Sequence, residues 1–264
     1  MSRRGGRLRG APTRQVVGVN PVRELLRADA PVSEILVDAD RSRSEAFVEL
    51  VDLARAAGVA VRTVDRREID DLADGLVHQG VLAVAPPYEY ANLDALLAGP
   101  RETPGLFVAL DGITDPHNLG SIARTAEAVA ADGLIVPARR SAAVTSVAEK
   151  AASGALAHLP VAVVTNLVRA LDQARDAGCW ILGLDAAADD LIGDSNLLTE
   201  PLVLVVGSEG SGLAHLSQVH CDQLVKLPMR GRVASLNASV AAGIALYEVD
   251  RHRQGGRSVA RPDG

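Results

Sequence analysis

Aromatic residues are scarce in this 264-residue sequence, where they make up only 2% of the chain. A surface that binds single-stranded RNA by stacking bases on aromatic side chains needs several of them, so the composition disfavours that mode of recognition. The core must instead be built from Val, Leu, Ile and Ala. With 48% hydrophobic and 23% charged residues, the balance is that of a globular protein.

Cysteines and clustered metal ligands are also lacking. Cys179 and Cys221 are the only cysteines, and the six histidines form no H-x-H or H-x-x-x-H pair. We therefore expect no metal site. The histidines are His78, His117, His158, His215, His220 and His252. No apolar run reaches the roughly 18 residues that span a bilayer, and the N-terminus lacks the apolar segment of a signal peptide, which predicts a cytoplasmic protein.

The net charge of -6 argues mildly against a polyanionic partner such as RNA. The two ends of the chain are nevertheless basic. Residues 1–14 contain five arginines and no acid, and residues 251–264 contain four arginines and one aspartate. We expect a basic arm over 1–14 and a flexible tail over 255–264. The arm either neutralises RNA phosphates or is an ordinary solvated terminus, and both interpretations stay open.

Strand and helix patterns alternate along the chain in two α/β units. Residues 15–87 predict a small α/β domain, and proline and glycine pairs predict a linker over 88–104. Over 105–254, continuous apolar strands alternate with helices, which predicts a mostly parallel sheet with helices on both faces. Its predicted strands are Leu106–Leu110, Gly133–Val136, Val161–Val164, Trp180–Leu184, Val203–Val206 and Leu224–Leu227.

Ligands of open α/β sheets bind beyond the carboxyl ends of the strands, so the segments that follow the strands indicate the site. Three segments stand out: D-G-I-T-D-P-H-N-L-G-S-I-A-R over 111–124, G-S-E-G-S-G-L over 207–213, and P-M-R-G-R-V-A-S-L-N-A-S-V over 228–240. Read singly, each has an ordinary structural explanation. Asn118 and Ser235 are suitable helix N-caps, and Arg124 is a plausible surface residue. The G-x-G-x-x-G fingerprint is missing after the first strand of either unit, which disfavours a dinucleotide-dependent oxidoreductase.

Together and in this order, D-P-H-N-L-G, V-V-G-S-E-G-x-G and L-P-M-x(6)-S-L-N-x-S-V-A resemble the three motifs of the SpoU family. This family is the TrmH-like branch of the SPOUT methyltransferases. The resemblance covers roughly residues 107–253. More loosely, G-V-N-P-V-R-E-L-L near Gly18 and H-Q-G-V near His78 are similar to the small substrate-binding domain of the branch that methylates guanosine in ribosomal RNA.

The resemblance implies a trefoil knot in the second unit, a homodimer, and S-adenosylmethionine as cofactor. By matching motif positions, Gly207, Leu227 and Leu236 are the expected cofactor contacts. The implied activity is methylation of a ribose 2'-hydroxyl, most closely that of a guanosine in 23S ribosomal RNA. A transfer-RNA 2'-O-methyltransferase and a catalytically silent RNA-binding paralogue are the alternatives. Retention of all the motif residues argues against the silent paralogue.

The resemblance also points to Asn118, Arg124, Glu209, Ser235 and Asn237 as the catalytic set. An enzyme that transfers a methyl group to a hydroxyl must orient the reactants and help remove a proton. Arg124 either stabilises developing negative charge or acts as the base, and the first role is favoured because guanidinium holds its proton with a pKa above about 12. Glu209 is expected to position Arg124, and Asn118 to fix Arg124 or the cofactor.

Overall fold

The computed structural model describes residues 12–41, 45–232 and 235–255. The chain divides into two compact units, the first ending at Glu89 and the second beginning at Tyr90. Residues 1–11 of the predicted basic arm and residues 256–264 of the predicted tail lie outside the described residues. Arg14, the last residue assigned to the arm, belongs instead to the first strand, and its Nε donates to the carbonyl of Pro86 at 2.8 Å.

The first unit contains a four-stranded mixed sheet in the order β1-β4-β2-β3. Strand β4 is antiparallel to β1 and β2, while β2 and β3 are parallel. Its strands are β1 (Arg14–Val17), β2 (Glu34–Asp38), β3 (Ala60–Val64) and β4 (Val81–Ala85). Its helices are α1 (Val19–Arg27), α2 (Glu45–Ala56) and α3 (Arg66–Ala73). Alternate strand residues, including Val17, Leu36 and Leu82, pack against Ile69 of α3, so the apolar face of each element is buried.

The second unit is built on a seven-stranded sheet in the order β7-β6-β5-β10-β8-β11-β9, and every described pairing in it is parallel. The strands are β5 (Leu106–Asp111), β6 (Gly133–Pro137), β7 (Val161–Val164), β8 (Trp180–Leu184), β9 (Asp190–Leu191), β10 (Leu202–Gly207) and β11 (Gln223–Lys226). The helices are α4 (Leu93–Ala98), α5 (Pro116–Ala128), α6 (Ser146–Ala152), α7 (Leu167–Asp176), α8 (His215–Val219) and α9 (Ala238–Arg253).

Helices cover both faces of this sheet. Phe107 and Ala109 of β5 share a buried cluster with residues of α4 and α7. Because side chains alternate along a strand, Val108 and Leu110 point to the opposite face, on which α5 and α9 contact the sheet. The prediction of a mostly parallel sheet with helices on both faces is therefore confirmed.

Part of the predicted linker belongs to the second unit. Leu93 and Leu97 of α4 are buried against β7 and α7, and Ala91 forms a parallel bridge with Ala162 of β7. Gly99 and Pro100 directly follow this short helix, and Asn92 caps its beginning by accepting from the N–H of Ala95 at 3.0 Å. Its two leucines bury enough apolar surface to fix it on the sheet.

Among the described residues, no helix is both long enough and apolar enough to cross a membrane. The same part of the chain contains no group of three or more His, Cys, Asp or Glu residues placed to hold a metal ion.

Candidate active site

Asn237 begins the last helix. Its Oδ1 accepts hydrogen bonds from the backbone N–H groups of Ser239 at 2.9 Å and Val240 at 3.3 Å. This is the geometry of an N-cap, which satisfies donors that have no partner inside the helix. The sequence suggested Ser235 as the cap. The structure corrects that prediction by two residues, and Ser235 lies exposed in the segment before the helix.

The same side chain joins two other candidate residues. Asn237 Nδ2 donates to Asn118 Oδ1 at 3.0 Å and to Glu209 Oε2 at 3.3 Å. A side-chain amide carries two N–H donors, and each here has its own acceptor. Asn237 therefore fixes the beginning of α5, the loop after β10 and the beginning of α9 to one another.

Asn118 is not the N-cap of α5. The cap is Asp115, whose carboxylate accepts from the N–H of His117 at 2.9 Å, and Pro116 follows as the first helical residue. This arrangement suits proline, which lacks an N–H and has its φ already fixed. Asn118 thus lies within the first turn, and its side chain is available for Asn237.

Arg124 lies farther along α5 and is exposed. Its side chain forms no hydrogen bond or ion pair with any other residue in the described part of the chain. Glu209, expected to position Arg124, contacts Asn237 instead. Of the five predicted catalytic residues, the structure brings Asn118, Glu209 and Asn237 into direct contact.

A cavity of about 390 Å³ opens at the carboxyl edge of the sheet beside this cluster. Such a volume falls within the roughly 300–1,000 Å³ that is usual for small-molecule sites. The loops that follow β8, β10 and β11 and the segment before α9 form its walls. All three predicted cofactor contacts, Gly207, Leu227 and Leu236, line it, and so do Glu209 and Ser235.

Gly207 is required by close packing of the backbone. A Cβ placed there would lie 2.3 Å from the carbonyl carbon of Gly212, far inside van der Waals contact. The approach is fixed by a pair of hydrogen bonds, Ser208 N to Gly212 O at 3.1 Å and Gly212 N to Ser208 O at 3.0 Å. Gly210 and Gly212 adopt positive φ values of 88° and 65° in this turn. The glycine-rich segment therefore forms a tight turn that shapes one wall of the cavity.

Sequence reasoning missed a further wall of the cavity, the segment 184–187 after β8. Asp185 accepts from the N–H of Ala187 and from Nε2 of Gln218, both at 2.8 Å. It places a carboxylate at the cavity. The rule that identified the other loops would have found it, since Asp185 comes directly after a buried strand.

These features define a class of protein: an α/β enzyme that binds a small cofactor at the carboxyl edge of a parallel sheet. The family follows from comparison with known proteins. Residues 105–247 match the model of the SpoU rRNA methylase family, and residues 15–91 match a model described as RNA 2'-O ribose methyltransferase substrate binding. The chain belongs to the SpoU family.

Individual relatives agree with this assignment. A Bacillus subtilis protein named as a TrmH family tRNA/rRNA methyltransferase is 44% identical over 242 residues, which cover 90% of this chain and 95% of the relative. The SpoU methyltransferase AviRb from Streptomyces viridochromogenes, in complex with AdoMet, superposes with a TM-score of 0.74 at 31% identity, covering 92% of this chain and 91% of AviRb. An AdoMet-bound rRNA methyltransferase from Sinorhizobium meliloti gives a TM-score of 0.75 at 25% identity, with coverages of 91% and 87%.

Family membership confirms two predictions made from the motifs. The chain is an RNA 2'-O-methyltransferase, and its cofactor is S-adenosylmethionine. The resemblance to the SpoU family is also confirmed.

Proposed function

We propose that this protein methylates the ribose 2'-hydroxyl of a guanosine in 23S ribosomal RNA, with S-adenosylmethionine bound in the cavity lined by Gly207, Leu227 and Leu236. One observation carries the proposal. Glu209 lines the cavity and also accepts the hydrogen bond from Asn237. The cofactor cavity and the cluster of Asn118, Glu209 and Asn237 are therefore parts of one site.

The cavity suits an adenosine-containing cofactor. Leu227 and Leu236 offer apolar surface to a base, while the loop 207–212 and the carboxylate of Asp185 offer backbone and side-chain groups for hydrogen bonds. When bound, the cofactor supplies a methyl group on a sulfonium centre, already a good electrophile. The protein's main tasks are then to orient the ribose and to assist loss of the hydroxyl proton.

Asn237 supports these tasks by preorganisation. Its two donors bond to the carboxylate of Glu209 and the amide of Asn118, so these groups are already positioned before substrate binds. We assign Arg124 to orientation and charge stabilisation. Its guanidinium is exposed and engages no described residue, so it is available to a phosphate or to a developing alkoxide. Ser235, exposed at the cavity, can hydrogen-bond to either reactant.

Ribosomal RNA is favoured over transfer RNA by the first unit. Residues 15–91 match a substrate-binding model. The Sinorhizobium neighbour, named as an rRNA methyltransferase, is aligned over 91% of this chain, which takes in both units. An additional substrate-binding domain suits a large folded RNA. We place the reaction in the cytoplasm. Transfer RNA is the second candidate, because the Bacillus relative is named for both RNAs.

We also propose a homodimer formed through α9. Val240, Ile244 and Tyr247 are 49%, 45% and 64% exposed, and they recur at the spacing of one helix face. Such a stripe exposes apolar surface that a second copy would cover. Since α9 begins at Asn237, this interface would lie close to the site.

The test of function uses the purified protein, methyl-labelled S-adenosylmethionine, and 23S ribosomal RNA or transfer RNA. We expect label at one ribose of 23S ribosomal RNA, and we expect Arg124→Ala to abolish transfer while cofactor affinity stays within about tenfold, roughly 1.4 kcal/mol. Near-normal turnover by this variant would refute the role of Arg124. Comparing 2'-O-methylated positions in RNA from cells with and without the protein identifies the nucleotide. A methylation lost from transfer RNA alone would refute the ribosomal assignment.

A further inference from the structure

The described arginines of the second unit fall into two groups. In the first group, each guanidinium is held by the protein. Arg101 pairs with Asp132 at 3.2 Å, Arg175 with Asp222 at 3.3 Å and Arg251 with Glu248 at 2.6 Å. Arg253 donates to four backbone carbonyls, those of Leu198, Glu200, Pro104 and Gly105. Partners of three of these arginines lie at the amino edge of the sheet. Asp132, Asp222 and Gly105 come just before β6, β11 and β5, respectively.

The second group is exposed, and in the described part of the chain none of its side chains has a hydrogen bond or an ion pair. Its members are Arg124, Arg139, Arg140, Arg169, Arg230 and Arg232. Five of them come within six residues of the carboxyl end of a strand, the edge that carries the cavity, and Arg124 lies in the third turn of α5. In the second unit, most of the described arginines without a partner therefore lie near the edge that carries the cavity.

At that edge, the loops that form the cavity and the loops that carry Arg139, Arg140 and Arg169 follow different strands. The cavity is formed by the loops after β8, β10 and β11. Arg139 and Arg140 follow β6, and Arg169 lies in the first turn of α7, after β7. These strands are on the other side of β5, the strand that leads to Asn118. The stretches 138–148 and 165–171 contain no acidic residue, and the nearest acid in the neighbouring β5–α5 loop is Asp115, which caps α5.

The loop that carries Arg139 and Arg140 is fixed to the loop before α5. Ala142 N donates to the carbonyl of Ile113 at 2.7 Å, and Ser141 Oγ donates to the same carbonyl at 3.3 Å. Farther along, Val144 N donates to the hydroxyl of Tyr90 at 3.1 Å. Arg140 itself has a φ of 56°, a left-handed conformation that these contacts must hold. The two cations are therefore presented from a fixed loop beside the segment that leads to Asn118.

We propose that Arg139, Arg140 and Arg169 bind the phosphates of the RNA strand next to the target nucleotide. Adjacent strands of a sheet are about 4.8 Å apart, so the path from β5 across β6 to β7 extends about 10 Å from the reaction site. Guanidinium groups bind phosphate in a bidentate manner, and these three have no ion pair to break first. The inference rests on the proposed function, because it names the path of the same RNA substrate.

The experiment compares the double variant R139A/R140A and the single variant R169A with a control variant, R251A. Arg251 pairs with Glu248 and is not one of the three arginines proposed to bind phosphate. For the double variant we expect the KM for 23S ribosomal RNA to rise about tenfold, while kcat at saturating RNA and the Kd for S-adenosylmethionine stay unchanged. The dependence of log K on log salt should flatten by about 1.4, since each phosphate contact on a single strand contributes roughly 0.7. R251A should leave both quantities at their wild-type values.

The result that overturns the inference is an unchanged KM and salt slope in R139A/R140A and R169A, or equal changes in R251A. The RNA-binding measurement separates this failure from failure of the proposed function. If the wild-type protein transfers no methyl group to any RNA, the proposed function fails, and the salt slopes still decide whether the three arginines bind phosphate. All four arginines are exposed or half-exposed, and equal melting temperatures would show that the variants are folded.

Discussion

Asn237 donates a hydrogen bond to Asn118 at 3.0 Å, although 119 positions separate the two residues in sequence. The same nitrogen reaches Glu209, and the oxygen of the same side chain caps α9. One amide thus combines a structural task, capping α9, with the functional task that we propose for it, and it uses different atoms for the two. The two tasks can be separated by substitution.

We expect Asn237→Ala to lose both tasks. Loss of the cap should cost about 1 kcal/mol of stability, which lowers the melting temperature of a protein of this size by about 2–4 °C. Loss of the donor should lower kcat about 100-fold, the usual effect of removing one preorganised polar group. Thermal unfolding and methyl-transfer kinetics measure the two effects.

Asn237→Asp is the matched control. Its carboxylate keeps the capping oxygen, so the melting temperature should stay within about 1 °C of wild type. It offers no donor and would face the carboxylate of Glu209, so kcat should fall as it does in Asn237→Ala. Wild-type kcat in Asn237→Asp would mean that the amide donor has no part in the reaction.

Gly207→Ala should weaken binding of S-adenosylmethionine by at least about tenfold. The added methyl would lie 2.3 Å from the Gly212 backbone, so the turn that shapes the cavity wall must move. Titration calorimetry with the cofactor measures the effect. Gly231→Ala is the control, since a Cβ there has no atom within 4 Å. Equal affinities for the two variants would show that the close approach at Gly207 does not matter for the cofactor.

Ile244→Glu should dissociate the proposed homodimer. A charge in the middle of the stripe formed with Val240 and Tyr247 would be buried without a partner in the dimer, at a cost of several kcal/mol. Sedimentation velocity should show a dimer for the wild type and a monomer for the variant. Leu216→Glu, at an exposed leucine on α8, controls for loss of an apolar side chain. A monomeric wild-type protein at micromolar concentration contradicts the proposal.

Both cysteines should resist alkylation in the folded protein. Burial raises the pKa of Cys221 to about 12, and burial also raises the pKa of Cys179. At pH 8 only about one Cys221 in ten thousand is then the reactive thiolate. Mass spectrometry after iodoacetamide treatment should show little modification until urea unfolds the chain. Rapid labelling of Cys221, which is partly buried, in the native protein would contradict its raised pKa.

The raised pKa values also fix the sign of a pH effect on stability. Ionisation of these thiols favours the unfolded chain, where a cysteine has a pKa of about 8.5. The contribution of both thiols to stability is therefore complete below about pH 8.5 and declines as the pH rises above it, for Cys221 up to a pH of about 12. Urea unfolding at pH 7.5 and pH 10 should show the decrease. Substituting Cys221→Ser should reduce it.

The strands of the large sheet could be predicted closely, because buried parallel strands are continuous apolar runs. Val161–Val164 and Trp180–Leu184 were predicted with the bounds that the structure shows. Strands β5 and β10 each extend to a final polar or small residue, Asp111 and Gly207, which hydrophobicity does not mark. The exposed two-residue strand β9 has no apolar pattern and was missed. The trefoil knot came from the resemblance and stays a prediction.

The sequence motifs were enough to predict which residues belong to the candidate site. The contacts between those residues could not be predicted from them. Ser235 and Asn237 are equally good N-caps in sequence, and the choice between them depends on the hydrogen bonds to Asn118 and Glu209. Likewise, the composition gives the number of arginines but does not show which of them form ion pairs with carboxylates. The separation of held from exposed arginines follows from pairings such as Arg175 with Asp222, 47 residues apart. Only folding brings such partners together.

The last helix is held at both ends, by Asn237 at its beginning and by Arg253, whose guanidinium bonds to four carbonyls, at its end. Because Asn237 bonds to Asn118 and Glu209, and Ala238 and Ala241 help to line the cavity, the cluster and the cavity are complete only when this helix is in place. A nascent or proteolytically shortened chain that lacks it has neither a finished cofactor wall nor a fixed Glu209.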